Sequence, residues 1–312
     1  MNKFIKEQNT RTRIISYLGS KGLAELTINY FRTPSRLFRY SGINKYLIAN
    51  LKFNTLTITD PSLFNDVYDA SLHRNSFSDL LSDELERREL LEICGMPDTS
   101  PVPIDKLRSK AEHEDKFLSQ YMKEALKVGC LSENHKSILM WSHYADKNQG
   151  ICIEYDFTGS AIYPFMYPVI YLENPIDCSE LCDTHLEDFN IDMAMLLSTI
   201  TKSTVWKYEK EWRVICYYST KSSLNNSPRI YASVPKPKAI YLGRSFLQYW
   251  LDHKRCKEKV LFDRLCKFIR ENQIETFVMK NKLLSYELYP VIIDIDIMER
   301  LNEDELYDDY LV

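Results

Sequence analysis

The spacing of apolar residues changes along this chain. In residues 1–30, Ile14, Ile15, Leu18, Leu23, Leu26 and Ile28 predict one or two helices. Leu37-Phe38-Arg39-Tyr40 reads as a short strand and Ile43 to Asn50 as a helix. The β-branched run Leu56-Thr57-Ile58-Thr59 is a second strand, ended by Asp60-Pro61. Residues 80–126 are rich in helical spacing, broken at Gly95-Met96-Pro97 and again at Pro101 and Pro103. Beyond residue 128 strands dominate. Val128–Ser132, Ile151–Tyr155, Tyr167–Leu172, Glu211–Tyr218, Ala239–Gly243, Thr276–Met279 and Glu287–Ile293 all read as strands. Helices are predicted at Ile138–Asp146, at about 187–202 and from Phe246 to Asn272. Strands and helices do not alternate cleanly, which argues against a doubly wound parallel sheet. The expected fold is α+β: a mixed or antiparallel sheet with surrounding helices. We divide the chain into an N-terminal helical segment (1–35), a single α+β domain (36–293) and an acidic C-terminal tail (294–312).

Composition adds exclusions. Eight glycines in 312 residues leave neither G-x-x-x-x-G-K-[ST] nor G-x-G-x-x-G, so no Gly-rich phosphate loop is present. A net charge of −4 carries no nucleic-acid signal for the whole chain. Its distribution is uneven, because the first 55 residues are basic, Arg36, Arg39, Lys45 and Lys52 among them, with only Glu7 and Glu25 opposing. Such a face is either solvated surface or a contact for phosphates. The eight cysteines form no C-x-x-C pair and several lie in apolar runs, as in Ile151-Cys152-Ile153, so they read as reduced core residues. The six histidines are scattered, no paired-histidine metal motif occurs, and G-x-S-x-G is absent. Met1 to Thr12 is polar, and no apolar run approaches about 18 residues. A cytoplasmic protein without a membrane partner is expected.

Four segments carry candidate chemistry, Leu37-Phe38-Arg39-Tyr40 with basic Arg36 among them. In Tyr208-Glu209-Lys210-Glu211-Trp212-Arg213-Val214, strand alternation places Glu209, Glu211 and Arg213 on one face and Trp212 and Val214 on the other. Two carboxylates and a guanidinium on a dry face are costly, so this face should line a cleft or meet solvent. In a cleft, Arg213 can keep one carboxylate ionised while the other meets ligand. In Met140-Trp141-Ser142-His143-Tyr144-Ala145, helical spacing puts Trp141, Tyr144 and Ala145 on one side. That stripe is core, with Tyr144 or His143 at its edge able to stack on a flat ring. Gly150 follows, where the backbone turns or approaches something closely. Pro61-Ser62-Leu63-Phe64-Asn65-Asp66 reads as a turn held by Asn and Asp side chains.

With these segments in view, the chain resembles an uncharacterised bacterial family. That family is marked by a Phe-Asn-Asp turn, a central Met-Trp-x-x-Tyr-Ala before a Gly and a strand, and a late Tyr-Glu-x-Glu-x-Arg. Here these are Phe64-Asn65-Asp66, Met140 to Ala145 with Gly150, and Tyr208 to Arg213, and Ile240-Tyr241-Leu242-Gly243 also fits. Val67 departs from the pattern, which has Pro there. More distantly, the layout is similar to ADP-ribosyltransferases. That similarity implies NAD as substrate and an ADP-ribosyltransferase-like fold. It implies Glu211 and Glu209 as catalytic residues, Glu211 on the ribose hydroxyl and Glu209 on the acceptor. Arg39 or Tyr40 would fill the early position and Ser132 the middle one, with Tyr144 stacking on nicotinamide. Asn65, His143 and Arg213 complete the implied cofactor-binding set. The acceptor would be a nucleic acid, RNA included, or a protein. A toxin or phage-defence role with an antitoxin partner would follow from the class. Two alternatives stand beside this reading. One is a non-catalytic binding or regulatory module. The other is a metal-dependent nuclease, with Glu211-x-Arg213 as a degraded acid-x-Lys motif and Asp156 or Asp66 as partner.

Overall fold

The structure, a computed structural model, describes residues 7–22, 34–73, 125–162, 165–182, 191–217, 229–253 and 259–296, with scattered positions between 88 and 121. The early strands are β1 (Arg36–Ser41), β2 (Thr55–Thr59), β3 (Leu126–Ser132) and β4 (Ile151–Asp156). The middle ones are β5 (Met166–Pro168), β6 (Ile170–Leu172), β7 (Thr201–Ser203) and β8 (Glu211–Tyr217). The late ones are β9 (Arg229–Ser233), β10 (Ala239–Leu242), β11 (Glu275–Asn281) and β12 (Leu288–Ile292). The helices that matter are α1 (Glu7–Ser20), α2 (Lys45–Phe53), α3 (Ile138–Tyr144), α4 (Ile191–Ile200), α5 (Phe246–His253) and α6 (Lys259–Asn272). The fold is a mixed α+β arrangement around a ten-stranded, mostly antiparallel sheet, ordered β12-β11-β10-β4-β1-β3-β2-β9, with β8 on β3 and β5 on β8. Within it β10 and β11 pair in parallel.

The sheet forks at β3. One edge of β3 pairs along its length with β8, from Leu126↔Tyr217 to Ser132↔Glu211. The other edge is shared: β1 meets it at Phe38↔Ser132 and β2 at Thr59↔Val128. β1 and β2 therefore splay apart and leave the middle of that edge without a strand. Arg39 fills the gap, its Nη1 donating to the Cys130 carbonyl at 2.6 Å. The guanidinium supplies a bond that an unbroken ladder would have made.

Alternation sorts the two faces. Leu37, Ile153, Trp212, Val214, Ile240 and Val278 face one way, onto α2, α5 and α6. α6 is suited to this, with Phe262, Leu265, Cys266 and Ile269 buried at helical spacing. α2 begins at an Asn44 cap whose side chain accepts from Tyr46 N and Leu47 N, and it ends at Asn54 in the left-handed conformation. The other face carries two separate apolar clusters. Phe38, Tyr40, Cys152 and Tyr241 pack under α3 through Met140, Trp141 and Ala145. Leu126, Tyr167 and Ile215 pack under α4, and Ile14 and Leu18 of α1 join them. Glu211 and Arg213 share this face, because they pair with Ser132 and Cys130. The gap between the two clusters is where the polar residues lie.

Several boundaries differ from the expectation. The 187–202 helix stops at Ile200, and Thr201–Ser203 pairs in parallel with β6 instead. Ser198, Thr199 and Thr201 bond back to the carbonyls of Ala194, Met195 and Leu197 at 2.7–2.9 Å, which competes with the helical ladder. Tyr167–Leu172 is two strands in two sheets. Of the Phe246–Asn272 helix the described parts are α5 and α6, both helical as expected, and 254–258 lie outside the described residues. Most of the helix-rich 80–126 region and residues 297–312 of the acidic tail also lie outside them. At the open edge, Ile293 N bonds Thr276 O and Lys282 N bonds Glu287 O. That phasing turns the backbone of Pro290 outward, where its missing N–H blunts strand addition. No helix among the described residues is long and apolar enough to cross a membrane.

Candidate functional site

β8 opens with Glu211, and Arg213 follows on the same face. Glu209 does not belong to that strand, contrary to the alternation read from sequence. A 3-10 turn spans Thr204–Glu209, and Lys210 takes a left-handed conformation (φ 44°) before β8 begins. Ser132 pins the turn, its hydroxyl donating to the Glu209 carbonyl and accepting from Asn134 N at 3.0 Å. The turn still brings both carboxylates to one ammonium. Lys202 Nζ lies 2.7 Å from Glu209 Oε2, 3.2 Å from Glu211 Oε2 and 3.3 Å from Asp69 Oδ2.

Arg213 sits behind this group, fully buried. Its Nη1 and Nη2 each donate to one oxygen of Asp69 at 2.7 Å. Its Nε and Nη2 donate to Glu211 at 2.9 and 3.0 Å, and Nη1 also donates to the Thr199 carbonyl at 2.5 Å. All five donors of the guanidinium are thereby used. The face expected to line a cleft or meet solvent lines a cleft, and its charges are buried there: Glu209 is 2%, Glu211 5% and Arg213 0% exposed. This burial is tolerated because every charge is paired. Three carboxylates against two cations leave one excess negative charge, at the floor of a cleft.

The environment drives the two glutamates apart. Burial raises the Glu209 carboxyl above the ordinary carboxylate range and the Glu211 charge adds to this, while Lys202 and the Tyr144 hydroxyl pull it down. Burial also opposes ionisation of Glu211, but Arg213 and Lys202 overcome it and hold that carboxyl at about 2. Burial likewise opposes the Lys202 charge, and Glu211, Asp69 and Glu209 more than offset it, so the ammonium stays protonated. Cys130 stands between Glu211 and Arg39. Burial and the Glu211 charge push its thiol pKa well up, against the lowering effect of the two arginines.

The cleft has a volume of about 480 Å³ and opens in the fork between β1 and β2. Asp69, Lys202, Glu209 and Glu211 form its floor, Arg39 and Ser41 one wall, and α3 another. Tyr144 donates its hydroxyl to Glu209 Oε1 at 2.7 Å, and Asn65 Nδ2 lies 3.4 Å from that hydroxyl. Burial and the Glu209 charge raise the Tyr144 pKa, so the phenol stays a donor. His143 is exposed, its ring 6.2 Å from Tyr144.

Of the residues singled out in sequence, Glu211, Glu209, Arg39, Tyr40, Ser132, His143, Tyr144 and Asn65 line this one cleft, and Arg213 supports it from behind. Two of them have their hydroxyls committed elsewhere. Tyr40 donates to the Asn134 carbonyl at 2.7 Å and packs edge-on against Trp141, and Ser132 holds the Glu209 turn. Sequence reasoning missed Asp69 and Lys202. The signal for Lys202 is a lone lysine closing the apolar run Met193 to Thr201. Asp69 lies three residues past the Asn65-Asp66 turn with nothing local to single it out.

No curated protein and no solved structure matches the chain. Residues 140–214 match a family described as a protein of unknown function, DUF2971. That stretch runs from α3 to β8 and contains Tyr144, Lys202, Glu209, Glu211 and Arg213, so the likeness to this family falls on most of the charged site.

Proposed function

We propose that the cleft binds NAD and breaks its N-glycosidic bond, transferring ADP-ribose to a nucleic-acid or protein acceptor, on an ADP-ribosyltransferase-like scaffold. The observation that carries this reading is the pair of glutamates on one ammonium, pushed to opposite protonation behaviour at the floor of an open cleft. Pairs separated in this way take different roles in acid–base chemistry.

Cleavage breaks the bond from C1′ to the nicotinamide nitrogen, and the bonding electrons leave with the base. The sugar passes through an oxocarbenium-like state, and the excess negative charge of the cluster stabilises the positive charge that develops. Glu211, permanently ionised, is the fixed anion. Glu209, with its raised pKa, takes the proton of the attacking hydroxyl as the new bond to C1′ forms. Tyr144 orients Glu209 and offers its ring to the nicotinamide, Arg39 anchors the phosphate side of the nucleotide, and Arg213 positions Glu211.

The nuclease alternative is disfavoured by the donor set. The oxygens of Asp69, Glu209 and Glu211 already face Lys202 and Arg213, and those charges would repel a divalent cation. A non-catalytic binding module would keep the cleft and release no nicotinamide, so the same assay separates it. The test is nicotinamide release from NAD by the purified chain, with RNA, DNA and a bacterial lysate offered in turn. Release by the wild type that falls at least about 100-fold in Glu211→Gln supports the reading. No release with any acceptor or with water overturns it.

A further inference from the structure

A second, smaller cavity adjoins the cleft across β1. Its volume is about 200 Å³, and Arg39, Ser41 and Thr59 line both spaces. Ligand sites usually span about 300–1,000 Å³, so this cavity suits one end of a ligand whose remainder lies in the cleft.

Its chemistry is opposite in sign to the cleft floor. Arg39 is half-buried, and its one hydrogen bond among the described residues goes to a neutral carbonyl. A guanidinium partly withdrawn from water calls for an anion, yet no carboxylate lines this cavity. Arg229 is brought to it by the Thr59↔Arg229 pairing at the start of β9. Its guanidinium carbon lies 5.2 Å from the Tyr46 ring centroid, and Lys45 Nζ lies 5.1 Å from the same ring. The N-terminal end of α2 opens at Asn44 on the cavity wall and adds its partial positive charge. Asn50, bonded to Thr55 and Thr57 at 2.8–3.2 Å, provides a neutral polar wall. The fork thus has an anionic end at Glu209 and Glu211 and a cationic end at Arg39 and Arg229. A nucleotide lying across it would place its sugar at the first and its phosphates at the second.

We propose that this second cavity is a phosphate-binding subsite that takes the diphosphate of the nucleotide whose ribose lies over Glu209 and Glu211. Its place beside the ribose rests on the glycosidic reading above, whereas the phosphate contact stands on Arg39 and Arg229. Arg39 belongs to the basic N-terminal stretch, which acquires a specific task here.

The test is calorimetric titration of the full chain with inorganic pyrophosphate at low salt. Binding is expected, weakened roughly tenfold to a hundredfold in Arg229→Gln and partly retained in Arg229→Lys. Melting temperatures are measured on the same preparations; Arg39→Gln is the second variant and should weaken binding similarly. The absence of pyrophosphate binding at millimolar concentration overturns the proposal, and so does equal binding by wild type, Arg229→Gln and Arg39→Gln. Pyrophosphate binding needs no turnover, so the two readings fail separately. Arginine-dependent binding without nicotinamide release keeps the phosphate subsite and removes the glycosidic reading. Release with an unchanged KM for NAD in Arg229→Gln does the reverse.

Discussion

Replacing Arg213 with lysine keeps the charge and removes the geometry. Arg213 makes two hydrogen bonds to Asp69, two to Glu211 and one to the Thr199 carbonyl. A lysine ammonium has three donors and no planar fork. At least two of these bonds are lost, at least one of them to a carboxylate. Hydrogen bonds involving a charged group contribute about 1.5–3 kcal/mol each, so the loss is about 3–6 kcal/mol. Arg213 is 0% exposed, so water does not replace what is lost. An unfolding entropy of roughly 2.1 cal/mol/K per residue over this chain converts 1 kcal/mol into about 1.5 °C. The Arg213→Lys variant should therefore melt about 5–9 °C below the wild type by differential scanning calorimetry. A melting temperature within about 1 °C of the wild type would refute the view that the fork of Arg213 holds Asp69 and Glu211 in place.

Other perturbations have defined signs. Glu211 is held at about 2, below its ordinary 4.5, so its contribution is complete above pH 4.5 and fades as pH falls toward 2. The acid limb of the wild-type melting curve should therefore be flatter in Glu211→Gln, and identical limbs would contradict the pairing. Glu209 is shifted the other way, so its contribution is present below its ordinary value and is lost as pH rises through its folded value. Removing the Tyr144 hydroxyl takes away a bond that lowers the Glu209 pKa. Tyr144→Phe should then move the acid limb of nicotinamide release to higher pH, and an unmoved limb would deny Glu209 the proton. At Gly150 an added Cβ would lie 2.3 Å from the Ser41 carbonyl and 2.9 Å from that of Ala145. Gly150→Ala should cost at least about 1–3 kcal/mol, read as a lower urea midpoint, and an unchanged midpoint would show that the α3–β4 turn is free to shift.

Much of this architecture is legible from local pattern. The strands from β1 to β4 follow from short apolar and β-branched runs, and the packing of Trp212 away from Glu211 and Arg213 follows from period-two alternation, both of which local sequence carries. The close approach at Gly150 follows from its lack of a side chain. What escaped has a different physical origin. Asp69 meets Arg213 across 144 residues of chain, and no local spacing encodes that pair. Lys202 was read as the end of a helix, because the Ser and Thr hydroxyls that unwind it at Ile200 look helical in an apolar run. Glu209 was read as a strand residue, since the left-handed Lys210 that ends the 3-10 turn is not a glycine and gives no sign in sequence. The expected cleft is present at Glu209 and Glu211, but the depth of their burial is not legible for the same reason as the missed pairings: only once Asp69 and Lys202 are supplied do the charges tolerate it.

The most direct test of the account is nicotinamide release from NAD by wild type and Glu209→Gln, with both melting temperatures measured on the same preparations. The account predicts release by the wild type, and a fall of at least about 100-fold in a variant that remains folded. Equal release by the two proteins would contradict the role given to Glu209, and no release by either would contradict the glycosidic reading itself.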